Sequence, residues 1–142
     1  MTVNKLTIDR EVYIKMEEAA SNGYPCESCA VLIGDSQKNT VNDFRLVSNI
    51  ANEEVSKYFY RIGPLDLYRL EKECDEKDGQ IIGFFHTHVF CESCLSGDDM
   101  DYMIPGMIYV VLSLTDVTTN RLRAYKKEEK NENIIEYEVV FN

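Results

Sequence analysis

Hydrophobic and polar positions change period several times along this chain, and each change marks an element. Lys5 to Ile8 predicts a short edge strand. Asp9 stands where a helix cap is needed, and the apolar stripe Val12, Met16, Ala19, Ala20 follows at helical spacing until Asn22-Gly23 ends it, with Pro25 enforcing the break. The run Cys29-Ala-Val-Leu-Ile-Gly34 is apolar and bounded by turn residues, which suits a buried strand; Val41 to Ser48 reads as its hairpin partner. Asn49 to Gly63 has no clean period, and its aromatic segment Tyr58-Phe59-Tyr60 fits either a strand or an ordered loop. Pro64 opens a helix with Leu67, Leu70 and Cys74 on one face, stopping before Gly79. Gln80 to His88 reads as a central strand, Ser96 to Ile104 begins with a helix-start signature, and Met107 to Leu114 is an apolar strand. Asp116 to Asn120 is a turn into a strand at Arg121 to Lys126, followed by the solvated charge run Lys126 to Asn133. Ile134 to Phe141 alternates strictly, with Ile135, Tyr137, Val139 and Phe141 on one side.

Strands outnumber helices and neighbouring strands are joined by short turns. The pattern predicts an α/β fold: a mixed, mostly antiparallel curved sheet flanked by two or three helices. At 142 residues the expectation is a single domain spanning 1–142. Hydrophobic residues at 44% and charged ones at 28% describe a folded globular protein. A formal net charge of -10 repels a nucleic-acid backbone or an anionic membrane and favours a protein or peptide partner. The opening MTVNKLTIDREVYIKMEE lacks a secretion signal's apolar run, and no window approaches the roughly 18 apolar residues of a membrane helix. We therefore expect a cytoplasmic protein whose five cysteines stay reduced.

The two histidines of the chain are His86 and His88. Two apart on a strand, they project to the same face, and zinc favours imidazole nitrogen. By itself His-x-His is a weak signal, equally met by two histidines on an exposed strand end. Ser96 and Asp99 follow ten and thirteen positions after His86, at a helix start. Ser-x-x-Asp there is satisfied by a capping arrangement alone. A helix start abutting the strand end would also aim Asp99 at the imidazoles, giving three protein ligands and leaving the fourth zinc position for water. Such a water needs a base, and Glu27, just before the strand at Ala30, is the candidate.

Glu27 followed by Ser-Cys-Ala-Val-Leu-Ile-Gly, then His86-Thr-His88, seven residues, and Ser96-Gly-Asp-Asp99, resembles the signature of the JAMM (MPN-plus, JAB domain) zinc metalloproteases, in particular compact prokaryotic-type members. The resemblance extends through Asn49, Tyr60-Arg-Ile-Gly-Pro64 and Tyr109-Val-Val-Leu-Ser113, from about Tyr24 to Leu114. It implies the cytidine-deaminase-like MPN fold, a catalytic zinc held by His86, His88 and Asp99, Glu27 as general base and acid, and Ser96 as donor to the tetrahedral oxyanion. Asp98 and Asp101 are read as favourable charges in a helix's first turn. Two departures stand out: Val89 where the family often has Pro, and Ala30 where it often has Gly. Neither supplies a ligand, so they are expected to alter loop shape and substrate fit with the chemistry intact.

The tetrapeptide Cys-Glu-Ser-Cys occurs twice, as Cys26 to Cys29 and as Cys91 to Cys94. If both lie near the site, these four cysteines would form a second, structural zinc site or a redox lock; otherwise Cys29 is core and the rest are free. The family's substrates imply an isopeptidase or peptidase that cuts after the C-terminal Gly-Gly of a ubiquitin-like protein. The alternatives are a peptidase trimming a sulfur-carrier protein in cysteine or cofactor synthesis, a non-catalytic binding module, and a thiol-redox protein. Which modifier or conjugate is recognised, and the oligomeric state, are not written in the sequence.

Overall fold

The computed structural model describes residues 4–52, 55–56, 60–90, 92–115 and 121–142. Within them, the predicted elements follow in the predicted order. Strand β1 (Lys5–Ile8) leads into helix α1 (Arg10–Ser21), whose first turn is capped by the Asp9 carboxylate accepting from the amides of Glu11 and Val12. Strands β2 (Cys29–Asp35) and β3 (Thr40–Val47) form the expected antiparallel hairpin. Helix α2 (Pro64–Glu76) starts on a proline, whose fixed φ and missing N–H suit a first helical turn. Then come β4 (Ile81–His88), the short α3 (Gly97–Tyr102), β5 (Ile108–Ser113), β6 (Leu122–Lys127) and β7 (Ile134–Phe141). The residues Tyr58 and Phe59 and the turn expected at Asp116 to Asn120 lie outside the described residues.

The sheet differs from the expected curved one in that it closes on itself, in the order β1-β3-β2-β4-β5-β6-β7. Strand β1 brings this about and is not an edge. It pairs in parallel with β3 on one side and with β7 on the other. Leu6 and Ile8 are fully buried, so β1 carries its apolar face into the core while its backbone pairs on both sides, Thr7 and Ile8 with β3 and Lys5 to Ile8 with β7. The remaining pairs are antiparallel except β4 with β5.

Both faces of the central strands are covered, which is why their sequences read as unbroken apolar runs. Ile108, Val110 and Leu112 of β5 join Leu6, Ile8, Ala30, Leu32 and Phe85 in one core, against Met16 and Ala20 of α1. Tyr109 and Val111 turn the other way, with Val31 and Phe84, toward Leu67 and Leu70 of α2. Strands β4 and β5 approach so closely at Gly83 that a Cβ there would sit 1.9 Å from the Ile108 carbonyl oxygen. Central placement makes β4 a rigid platform, and its last residues, on the Phe84 face, are the two histidines. Among the described residues, no helix is long and apolar enough to cross a membrane.

Candidate metal centre

Strand β4 is flanked by β2 and β5, with His86 in register with Cys29 and Val111. His86 and His88 are 0% and 2% exposed, and their Nε2 atoms lie 3.2 Å apart. Helix α3 then delivers Asp99: its Oδ2 lies 3.2 Å from His86 Nε2 and 2.9 Å from His88 Nε2. The capping reading of Ser96 and Asp99 holds at the same time. Ser96 Oγ accepts from the Asp99 amide, and Asp99 Oδ2 accepts from the Ser96 amide, each at 3.0 Å. The cap fixes the carboxylate that faces the imidazoles. Asp98 and Asp101 are exposed in the same helix.

The hydrogen bonds around this triangle fit a site that takes a cation. His88 Nδ1 lies 2.7 Å from the Glu92 carbonyl oxygen, which can only accept. Nδ1 therefore carries the hydrogen, and Nε2, which faces the Asp99 carboxylate, either donates to it from a protonated ring or offers a lone pair to a cation held between them. Positive charge among His86, His88 and Asp99, from a protonated imidazole or from a bound cation, stabilises so close a grouping. Burial lowers the pKa of His86. For His88 burial acts in the same direction, but hydrogen bonds to Asp99 and to the Glu92 carbonyl outweigh it and the pKa rises. Burial would raise Asp99, yet the bonds from both imidazoles hold it far below the carboxylate range. Tetrahedral zinc with ligands at about 2.0–2.2 Å sets ligand atoms about 3.3–3.6 Å apart, a few tenths beyond the spacings here. Two imidazole nitrogens and one carboxylate oxygen are a donor set that fits a catalytic zinc.

Glu27 faces the same space. One ligand atom each from Glu27, His86 and His88 lie within 4.8 Å of one another. The side chain is 3% exposed and Oε1 has no hydrogen-bond partner among the described residues. Burial pushes its pKa up to about 8, with His88 opposing and Asp99 adding to the rise. The backbone around it is pinned: the Glu27 amide donates to the Ser56 carbonyl at 2.7 Å and its carbonyl accepts from Asn49 Nδ2 at 2.9 Å. Next to it, the Ser28 amide donates to Thr87 Oγ1 at 2.8 Å, tying the segment to the residue between the histidines.

The cysteines do not gather. Cys29 is buried in β2 with its thiol donating to the Val47 carbonyl at 3.6 Å, and burial pushes its pKa up to about 12. Cys26 accepts from Ser56 Oγ, and Cys94 is exposed. Among the described residues, therefore, no cysteine joins a metal-binding cluster, and Cys91 lies outside them. The second zinc expected at Cys26, Cys29, Cys91 and Cys94 is not supported, because Cys29 opens β2 buried with its thiol bonded to the Val47 carbonyl, while Cys94 is exposed. Ala30 and Val89, the two departures from the family pattern, are fully buried.

Beside Asp99 runs a cleft of about 210 Å³, lined by Tyr60, Ile62, Leu67, Phe84 and Tyr102 among others. Arg61 packs over the Tyr102 ring, 3.6 Å from its centroid. The sequence signalled neither the cleft nor the supports from Ser56, Thr87 and the Glu92 carbonyl, since none has a spacing that marks it.

Residues 9–126 match the family described as prokaryotic homologues of the JAB domain. A desampylase of Haloferax volcanii is 30% identical over 97 residues, covering 68% of this chain and 68% of that protein. A desampylase of Pyrococcus furiosus is 27% identical over 77 residues, covering 54% and 51%. Among solved structures, a Desulfitobacterium hafniense protein superposes with a TM-score of 0.80 at 18% identity, over 96% of this chain and 92% of that one. A JAB1/MPN domain protein from Archaeoglobus fulgidus does so with a TM-score of 0.60 at 17% identity, over 96% and 98%. These last two are likenesses of fold.

Proposed function

The chain belongs to the prokaryotic JAB-domain family, and on that premise we propose that it is a zinc-dependent isopeptidase or peptidase cutting after the C-terminal Gly-Gly of a ubiquitin-like protein. The observation that carries this reading is the convergence of His86, His88 and Asp99 to within 3.2 Å of one another with the buried Glu27 carboxyl alongside. The name shared by the two desampylases supports the substrate class.

Zinc held by His86, His88 and Asp99 would supply Lewis acidity, polarising the scissile carbonyl and bringing the pKa of water toward neutrality. The rest falls to the chain. Glu27, held up at about 8 by burial, is drawn back toward its ionised form by a nearby divalent charge. Ionised, it takes a proton from the attacking water and passes it to the leaving amine, so that one amide and one water yield a carboxylate and an ammonium group. Ser96 Oγ accepts from the Asp99 amide, which leaves its hydroxyl hydrogen to donate to the oxyanion that forms on the substrate. The cleft beside Asp99 suits an extended tail, and glycines let that backbone pass close to the site.

The test is purified, zinc-loaded protein incubated with a ubiquitin-like protein whose C-terminal Gly-Gly is joined to a lysine side chain or extended by single amino acids. Release of the Gly-Gly terminus, abolished by chelator and restored by zinc, is expected. Intact substrates across the whole panel, with one zinc bound per chain, would refute the activity and favour the binding-module reading; cleavage of the single-residue extensions alone would favour the trimming role.

A further inference from the structure

Resting on the zinc reading above, we propose that Tyr60 is a positioning residue of the metal centre, its ring holding the plane of His86 in place of a hydrogen bond. The two histidines are held differently. His88 is fixed through Nδ1, which donates to the Glu92 carbonyl at 2.7 Å. That is the usual device: a ligating imidazole gives its remote N–H to a carbonyl, carboxylate or water, which sets ring orientation. His86 is fully buried, and its Nδ1 has no hydrogen-bond partner among the described residues. Against it lies the Tyr60 ring, with centroids 4.4 Å apart and planes 26° from parallel. Stacking constrains the tilt of the imidazole, the freedom that an unbonded Nδ1 leaves open.

The ring is itself anchored to the elements that carry the other site residues. The Arg61 amide donates to Asn49 Oδ1 at 3.1 Å, and Asn49 Nδ2 holds the Glu27 carbonyl. The Arg61 guanidinium donates to the Tyr60 carbonyl at 2.7 Å and packs on Tyr102 of α3, the helix that bears Asp99. Tyr60 also lines the cleft, so a substrate tail seated there presses on the ring that sets His86.

The experiment compares wild type with Tyr60→Phe, which keeps the ring, and Tyr60→Leu, which removes it. Zinc affinity is measured by competition with a chromophoric chelator, and ligand geometry by the visible absorption of the cobalt-substituted protein. Tyr60→Phe is expected to bind within about twofold of wild type, and Tyr60→Leu to lose roughly ten- to a hundredfold with an altered cobalt spectrum. Wild-type affinity and spectrum in Tyr60→Leu would overturn the proposal, as would an equal loss in Tyr60→Phe. Should Tyr60→Leu not fold, Tyr60→Met replaces it with the same expectations. A wild-type chain that takes up no zinc would overturn the zinc reading itself, an outcome distinct from a wild type that binds and a ringless variant that binds equally well.

Discussion

Replacing Glu27 by Gln separates its chemical role from its electrostatic cost. Burial raises this carboxyl from an ordinary value of 4.5 to about 8 in the fold, so the metal-free folded state prefers it protonated. The sign follows: the folded pKa lies above the unfolded one, so the contribution is intact below about pH 4.5, falls as pH rises, and is lost above about pH 8. At about 1.36 kcal/mol per pH unit between those limits, wild type is penalised by roughly 3–5 kcal/mol at pH 9 relative to a neutral isostere. For a domain of this size that amounts to a melting-temperature gap of about 10 °C in favour of Glu27→Gln. The assay is thermal unfolding of chelator-stripped wild type and variant across pH 5 to 9. The gap is expected to open steadily with pH, and to narrow when zinc is restored and its charge favours ionised Glu27. Zinc content stays at the wild-type level, while kcat falls by about a hundredfold or more. A gap of equal size at pH 5 and pH 9 would refute the reasoning, because the ionisation of Glu27 has no counterpart in the glutamine variant.

Ser96→Ala should lower kcat about a hundredfold with little change in KM; the lost cap on α3 should also cost about 1 kcal/mol, read from a thermal melt. Asp99→Asn should retain the fold but lose most of its zinc on dialysis, measured by metal analysis, since it removes the anionic member of the proposed ligand triangle. Gly83→Ala should fail to fold or lose several kcal/mol, about 3 or more, by circular dichroism. The added Cβ would meet the Ile108 carbonyl oxygen at 1.9 Å and its carbon at 2.7 Å, and a paired backbone cannot move aside.

Local signals in the sequence were enough for the elements. Asp9 and Pro64 marked helix starts, the unbroken apolar runs of β2, β4 and β5 marked strands covered on both faces, and strict alternation marked β7. The meeting of His86, His88 and Asp99 was legible for a related reason: the histidines are placed by strand period, and Asp99 by the cap that begins α3. Closure of the barrel was not legible. Lys5 to Ile8 looks like an edge from its length, and only tertiary structure decides that β3 and β7 arrive on either side of it. The same holds for the supports of the site. Asn49, Ser56 and Tyr60 act across long loops, and the cysteine repeat, alike in letters, places Cys29 buried at the start of β2 and Cys94 exposed. Period and capping are properties of neighbouring residues, whereas pairing, stacking and burial depend on which distant segments the folded chain brings together.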